Sequence, residues 1–180
     1  MTASKLRDSA PELTIRNLQL EDAEVISSAF SEIGWSKPVT QYEKYFRNQE
    51  SGTQVIFVAE LDSVFAGYLA VVWNSGYSLF SEKGIPEISD LNMLPQFRRR
   101  GIASALMDSA ESKVAERGDV AGIGVGMTPD YGAAQQMYVL RGYVSDGRGL
   151  TQNGDPVRYR QPIVVDDSTV LWFTKDLKRS

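Results

Sequence analysis

Residues 87–118 read EISDLNMLPQFRRRGIASALMDSAESKVAERG, and the fold follows from how this stretch divides. Pro86 to Leu94 reads as a buried strand, followed by a short turn. A long amphipathic helix is then expected, opening with Arg98-Arg99-Arg100-Gly101-Ile102-Ala103. Ile102, Ala103, Leu106, Met107, Ala110 and Val114 form one apolar stripe, while Asp108, Glu111, Ser112, Lys113, Glu116 and Arg117 take the other side. Gly118 stands where a left-handed stop residue is expected.

A helix entered through Gly101, Ala103 and Ser104 leaves several backbone N–H groups free. They point toward any anion at that end, and the helix dipole adds to the attraction. Gly101 and Ala103 lack bulk, so a phosphate can approach the backbone closely. Arg98, Arg99 and Arg100 supply charge-assisted donors around the same point. Two readings are open here: a pyrophosphate cradle, or a solvated basic turn before an ordinary helix.

Arg98-x-x-Gly101-x-Ala103 fits the (Gln/Arg)-x-x-Gly-x-(Gly/Ala) signature of the GNAT superfamily of acyl-CoA-dependent N-acyltransferases. The strand before it, with Leu91, Met93 and Pro95 leading into the arginines, resembles that family's fourth strand. Downstream, Ala134-x-x-Met137-Tyr138-x-x-x-Gly142-Tyr143 resembles its Ala-x-x-Leu-Tyr-x-x-x-Gly-Phe segment. Two signatures at the expected separation are far more specific than either alone. The resemblance spans residues 13–145 and the last strand. It implies an α/β fold of GNAT type, with acetyl-CoA as co-substrate. It places the cofactor against Met93, Leu94, Arg98, Arg99, Arg100, Gly101, Ile102, Ala103 and Ser104, and calls for no metal.

Outward from this stretch, the 180 residues are enough for one domain with a sizeable core. A single domain over residues 12–180 behind a flexible segment 1–11 is expected. A net charge of −4 argues against a general nucleic-acid binder, and the arginine triplet is a local exception. An acidic surface favours a cationic amine. The absence of cysteine and histidine removes disulfides, thiolate nucleophiles, Cys/His zinc sites and any Ser-His-Asp triad. Acid–base chemistry falls to a carboxylate, a tyrosine, a lysine or the backbone. The N-terminal MTASKLRDSAPE has no signal-peptide core, and no run reaches the roughly 20 apolar residues of a membrane span. A cytoplasmic protein without membrane or nucleic-acid partners is the expectation.

The remaining elements follow from pattern. Leu13 to Asn17 alternates as a strand, and Glu21 to Ile33 and Val39 to Asn48 read as helices. Gln54 to Glu60 and Val64 to Trp73 read as a hairpin around Asp62-Ser63. Asn74 to Gly84 is a loop, Val120 to Met127 a fifth strand, and Asp130 to Arg141 a helix started by Thr128-Pro129-Asp130. Gly142 to Ser145 begins a sixth strand, Asp146 to Asp167 is an extended loop or hairpin, and Thr169 to Asp176 is a seventh strand. The sum is a mixed, mostly antiparallel sheet of about seven strands with about four helices. In the GNAT pattern the fourth and fifth strands are parallel and splay apart, with the pantetheine arm between them.

Several residues carry the candidate chemistry. Gly122, Gly124 and Gly126 alternate in the fifth strand, marking either close approach by a ligand or a closely packed strand. Glu87 is a carboxylate in a strand whose neighbours Ile88 and Leu91 should be buried, and desolvation there would tune it as a general base. The alternative is a solvated glutamate after Pro86. Asp90 is the fallback, on the opposite face by strand periodicity. By the resemblance, Glu87 falls where many GNAT enzymes place a base-like glutamate, and Tyr138 matches the tyrosine beside the acyl-CoA sulfur. Tyr138 can donate a proton to a leaving thiolate, or simply fill the core beside Met137 and Leu140. Tyr131 departs from the family, which often has a cofactor-touching asparagine there. Trp35, Tyr42, Tyr45, Trp73, Tyr77 and Tyr159 are candidates to line an acceptor pocket. The 146–167 segment is open between an acceptor lid and a homodimer contact.

Taken together, the sequence leads to an N-acetyltransferase moving an acetyl group from acetyl-CoA to a primary amine of a small molecule or peptide. The rival reading is a non-catalytic domain of the same type that senses acyl-CoA or binds protein.

Overall fold

The computed structural model describes residues 10–179, so most of the N-terminal segment expected to be flexible lies outside the described residues. Its centre is a hairpin. Asp62 and Ser63 both take positive φ, 52° and 64°, the two-residue turn whose twist matches its flanking strands. The turn joins β2 (Gln54–Leu61) to β3 (Val64–Val72). Both faces of β3 are covered, so its sequence VFAGYLAVV is apolar almost throughout rather than alternating. One face gives Ala66, Leu69 and Val71 to one core, and the other gives Phe65, Tyr68 and Ala70 to a second.

Around the hairpin, β1 (Leu13–Asn17) pairs with β2, and β4 (Glu87–Met93) with β3, both antiparallel. β5 (Val120–Gly126) pairs parallel with β4, and β8 (Thr169–Asp176) antiparallel with β5. β6 (Val144–Gln152) and the two-residue β7 (Asp155–Pro156) complete an eight-stranded sheet of order β1-β2-β3-β4-β5-β8-β6-β7. α1 (Asp22–Ser31) and α2 (Val39–Glu50) pack Ile26, Phe30 and Tyr42 against one face. On the other face, α4 (Ile102–Ala115) buries Ile102, Leu106, Met107, Ala110 and Val114. Apart from Ala103, which is half-buried, the apolar stripe read from the sequence is that buried face. Each of the larger aliphatic side chains, Ile102, Leu106, Met107 and Val114, contributes about 1.5–3 kcal/mol when fully removed from water.

Three departures have physical causes. The expected loop after β3 contains a short helix, α3 (Ser78–Lys83), which ends on Gly84 at φ 61°. The helix expected from Asp130 divides into a 3-10 turn over Pro129–Tyr131 and α5 (Gly132–Leu140). The 146–167 segment, expected as an extended loop or hairpin, contains a hairpin: β6 continues to Gln152 and turns through Asn153 and Gly154, at φ 53° and 84°, into β7. That makes eight strands where about seven were expected, and five α-helices where about four were. Gly118 is not left-handed. The helix is closed instead by the Arg117 and Gly118 amides, both donating to Val114 O at 2.9 Å. Among the described residues no helix is long and apolar enough to cross a membrane.

Candidate active site

β4 and β5 pair only at Glu87↔Gly122 and Ile88↔Ile123, then part. The parting coincides with a bulge. Between Tyr68 and Ala70 the β3–β4 register slips, with Ser89 opposite Ala70 and Asn92 opposite Tyr68. Asp90 takes φ 50° to absorb the extra residue. A bulge bends and twists its strand, and here it carries β4 away from β5. The β5-facing backbone groups of β4 beyond Ile88 are thereby left without a strand partner. A cleft of about 390 Å³ opens at this point, lined by Glu87 to Asn92 of β4, Gly124 and Gly126 of β5, and Tyr138 of α5.

Glu87 sits at the first of the two paired rungs, partly buried, on the cleft wall. Burial pushes its carboxyl above the usual range, and a hydrogen bond from Ser75 Oγ to Oε2 at 2.5 Å opposes that rise. Glu87 is thus partly withdrawn from water. Asp90 does not point away from it, as strand periodicity predicted. The bulge breaks the alternation, and both carboxylates line the same cleft. Asp90 is heavily engaged, accepting from the Tyr45 and Tyr68 hydroxyls at 2.8 Å each and from Asn92 Nδ2 at 2.6 Å. Lys37 Nζ lies 3.5 Å away. With Gln41 Nε2 at 3.4 Å, five donors surround this one carboxylate.

Tyr138, on α5, faces the cleft from the other side and is 5% exposed. Its hydroxyl makes no hydrogen bond within the described residues. Burial, with a smaller push from Tyr131, raises it to about 12, so it holds its proton at neutral pH. The ring also packs in the α4-side core, with Met137 against that core, while Leu140, expected beside it, is exposed.

The N-terminus of α4 carries no side-chain cap. Its first intrahelical acceptance is Ala105 N–H to Gly101 O, leaving the amides of Ile102, Ala103 and Ser104 without partners. Gly101 takes φ 78°, which an L side chain resists, and a Cβ there would meet nothing within 4 Å. Arg99 is also left-handed, at φ 60°. Arg98, Arg99 and Arg100 are exposed, and none is ion-paired among the described residues. This is an open, donor-rich end that fits an anion of phosphate type. Met93 and Leu94 do not line the cleft. The Leu94 N–H is committed to Ala66 O at 3.0 Å, and its side chain is buried in the α1–α2 core.

The β5 glycines seat aromatic rings. A Cβ on Gly122 would clash with Phe80 Cε2, one on Gly124 would lie 2.7 Å from Trp172 Cζ3, and one on Gly126 would lie 2.5 Å from Tyr131 Cε2. Close packing is therefore the reason for the alternation, although Gly124 and Gly126 also border the cleft. The aromatics expected there lie elsewhere. Tyr42 is core, Tyr77 is buried against Trp172, Trp73 packs beneath Arg117, Trp35 stacks on Phe30, and Tyr159 is 96% exposed. Tyr45 acts only through Asp90. The cleft aromatics are Tyr131, Tyr138 and Trp172. Sequence reasoning missed Trp172, Ser75, Lys37 and Asp167, and only the glycine alternation hinted that rings crossed β5.

Comparisons with known proteins agree with the fold. Residues 15–143 match the sequence profile of the Acetyltransferase (GNAT) family. An uncharacterized N-acetyltransferase of Archaeoglobus fulgidus is 34% identical over 93 residues, 51% of this chain and 61% of that protein. The matched part thus spans about three-fifths of that relative's length. The structure of an N-acetyltransferase from Staphylococcus aureus Mu50 superposes with a TM-score of 0.69 at 16% identity, covering 92% of this chain and 99% of that one. A Salmonella typhimurium protein solved with its cofactor acetyl-CoA gives 0.66 at 14% identity, over 92% and 94%. At such identities the solved structures speak for the fold alone. The profile match covers most of the chain, and the chain belongs to the GNAT family of acetyltransferases.

Proposed function

We propose that the protein transfers an acetyl group directly from acetyl-CoA to a primary amine. The observation that carries this reading is the cleft at the β4–β5 parting, which holds a buried carboxylate, Glu87, and a protonated tyrosine, Tyr138, on its walls. The open N-terminus of α4, with Arg98, Arg99, Arg100, Gly101, Ile102, Ala103 and Ser104, would hold the pyrophosphate of acetyl-CoA. The unpaired backbone of β4 near Met93 would hold the acyl arm, with Leu94 as its buried support. The bound thioester supplies an activated acetyl carbon.

Glu87, directly or through water, takes the proton of the bound ammonium and frees the nitrogen lone pair for attack. As the carbon–nitrogen bond forms, the carbon–sulfur bond breaks, and the nitrogen gives up its second proton to solvent to leave the neutral amide. Tyr138 gives its proton to the departing sulfur and recovers one from solvent, to which Glu87 releases its own. Most of the rate enhancement comes from holding two substrates in attacking position. The acidic cleft, with Asp167 at its rim, supports a cationic acceptor. The cytoplasmic setting expected from the sequence belongs to the same proposal.

The test is an acceptor screen with acetyl-CoA and detection of free thiol. Amine-dependent thiol release is expected, together with a rise in melting temperature on adding acetyl-CoA. Gly101→Glu, which places bulk and negative charge in the cradle, should abolish that rise. Binding of acetyl-CoA without thiol release for any amine would turn the assignment to an acyl-CoA sensor.

A further inference from the structure

Ser75 lies in the connection from β3 to α3 and is 4% exposed. Its Oγ donates to Glu87 Oε2 at 2.5 Å and accepts the Tyr77 N–H at 3.0 Å. The second bond orients the first: with the Tyr77 amide on one side of the oxygen, the hydroxyl proton is turned toward the carboxylate. Tyr77 is itself fixed. Its ring stacks on Trp172 at 4.3 Å with planes 1° apart, and its hydroxyl donates to Asp146 Oδ2 at 2.7 Å. Glu87 makes no other hydrogen bond within the described residues, which leaves Oε1 free.

We propose that Ser75 is a positioning residue for Glu87: it clamps one carboxylate oxygen against the β3–α3 turn so that the other faces the acceptor amine. The inference rests on the reading of Glu87 as the base. A donor on the carboxylate also favours its ionised form, against the burial that disfavours it. The other titratable groups facing the cleft are Lys37 before α2, Asp90 on β4, Tyr131 before α5, Tyr138 on α5 and Asp167 before β8. Lys37 and Asp90 are paired with each other, and Tyr131 with Asp167. Burial and the Ser75 bond are what set Glu87.

Two measurements on the full chain test this. The first follows the Glu87 carboxyl carbon by NMR in ¹³C-glutamate-labelled protein across pH, assigned by its loss in Glu87→Gln. Ser75→Ala should move that titration to higher pH, and Ser75→Thr should restore it. The second is the pH dependence of kcat with acetyl-CoA and whichever of benzylamine, lysine and spermidine turns over fastest. Ser75→Ala should lower kcat about tenfold at pH 7, with recovery at higher pH and KM for acetyl-CoA unchanged. A titration that does not move, or a rate loss equal at every pH, overturns the positioning role. A Glu87→Gln variant with wild-type rates would instead sink the reading of Glu87 as base, whatever the titration shows of Ser75.

Discussion

At the scale of the residue, Glu87 is tuned by the cost of burying its charge, and that cost is visible in stability as well as rate. Its carboxyl is raised in the fold, so between the unfolded and folded values the native state holds the extra proton. Stability contributed by that proton is lost as pH rises through the window. Glu87→Gln should therefore melt a few degrees above wild type at pH 7–8, with the gain vanishing below the ordinary carboxylate range. The same variant should lose ~10²–10⁴-fold in turnover at neutral pH, with little change in acetyl-CoA affinity. A pH-independent melting difference would mean that the carboxylate is not desolvated. Tyr138 is the opposite case, because its hydroxyl, raised to about 12, is a donor throughout the neutral range. Tyr138→Phe keeps the ring and the core. A thiolate of pKa ~8.5 is already a fair leaving group, so turnover should fall by less than ~10²-fold, in kcat rather than in acetyl-CoA binding. Wild-type kcat in a folded Phe variant would leave Tyr138 as packing only.

At the scale of the element, β5 decides where the cleft can be. Its glycines let Phe80, Trp172 and Tyr131 lie directly on the strand, and two of those rings then form the cleft wall. Gly124→Ala pushes a methyl group into Trp172 and Val170, at 2.7 and 2.9 Å, neither of which can retreat from a packed sheet. The expected cost is about 1–3 kcal/mol, read as a melting temperature lower by several degrees. An unchanged melting temperature would mean that the rings are loosely held. The alternation was legible in the sequence but its cause was not, since the rings arrive from three separate segments. The α4 stripe was fully legible, because helical periodicity is local. The β4 bulge was not: nothing in EISDLNM marks the slipped register, and with it went the face of Asp90.

At the scale of the molecule, the two helical layers are assembled on opposite faces of one sheet, and one ion cluster ties three elements of the α4 layer together. Glu111 on α4 accepts from Arg141 Nε, just past α5, at 3.0 Å and from Lys175 Nζ on β8 at 2.8 Å. Arg141 also reaches Asp108 at 2.6 Å. Sequence separation hid this cluster: residues 111, 141 and 175 are apart in the chain and each reads as an ordinary surface charge. It matters because α5 carries Tyr138, and the cluster locks the end of α5 to the helix whose other end forms the anion cradle. The cations hold the Glu111 carboxyl below its usual value despite its partial burial. A carboxylate lowered in the fold contributes stability above the unfolded value, and that contribution is lost as pH falls through the folded one. Glu111→Gln removes the charge while keeping the volume, leaving Arg141 and Lys175 half-covered with a weaker acceptor. The expected loss is about 2 kcal/mol at pH 7, shrinking as acid protonates Glu111 in the wild type. Thermal unfolding of both proteins from pH 3 to 8 reads this directly. Curves that stay a fixed distance apart down to pH 3 would show that Glu111 contributes packing rather than charge, and that α5 is held by its apolar face alone.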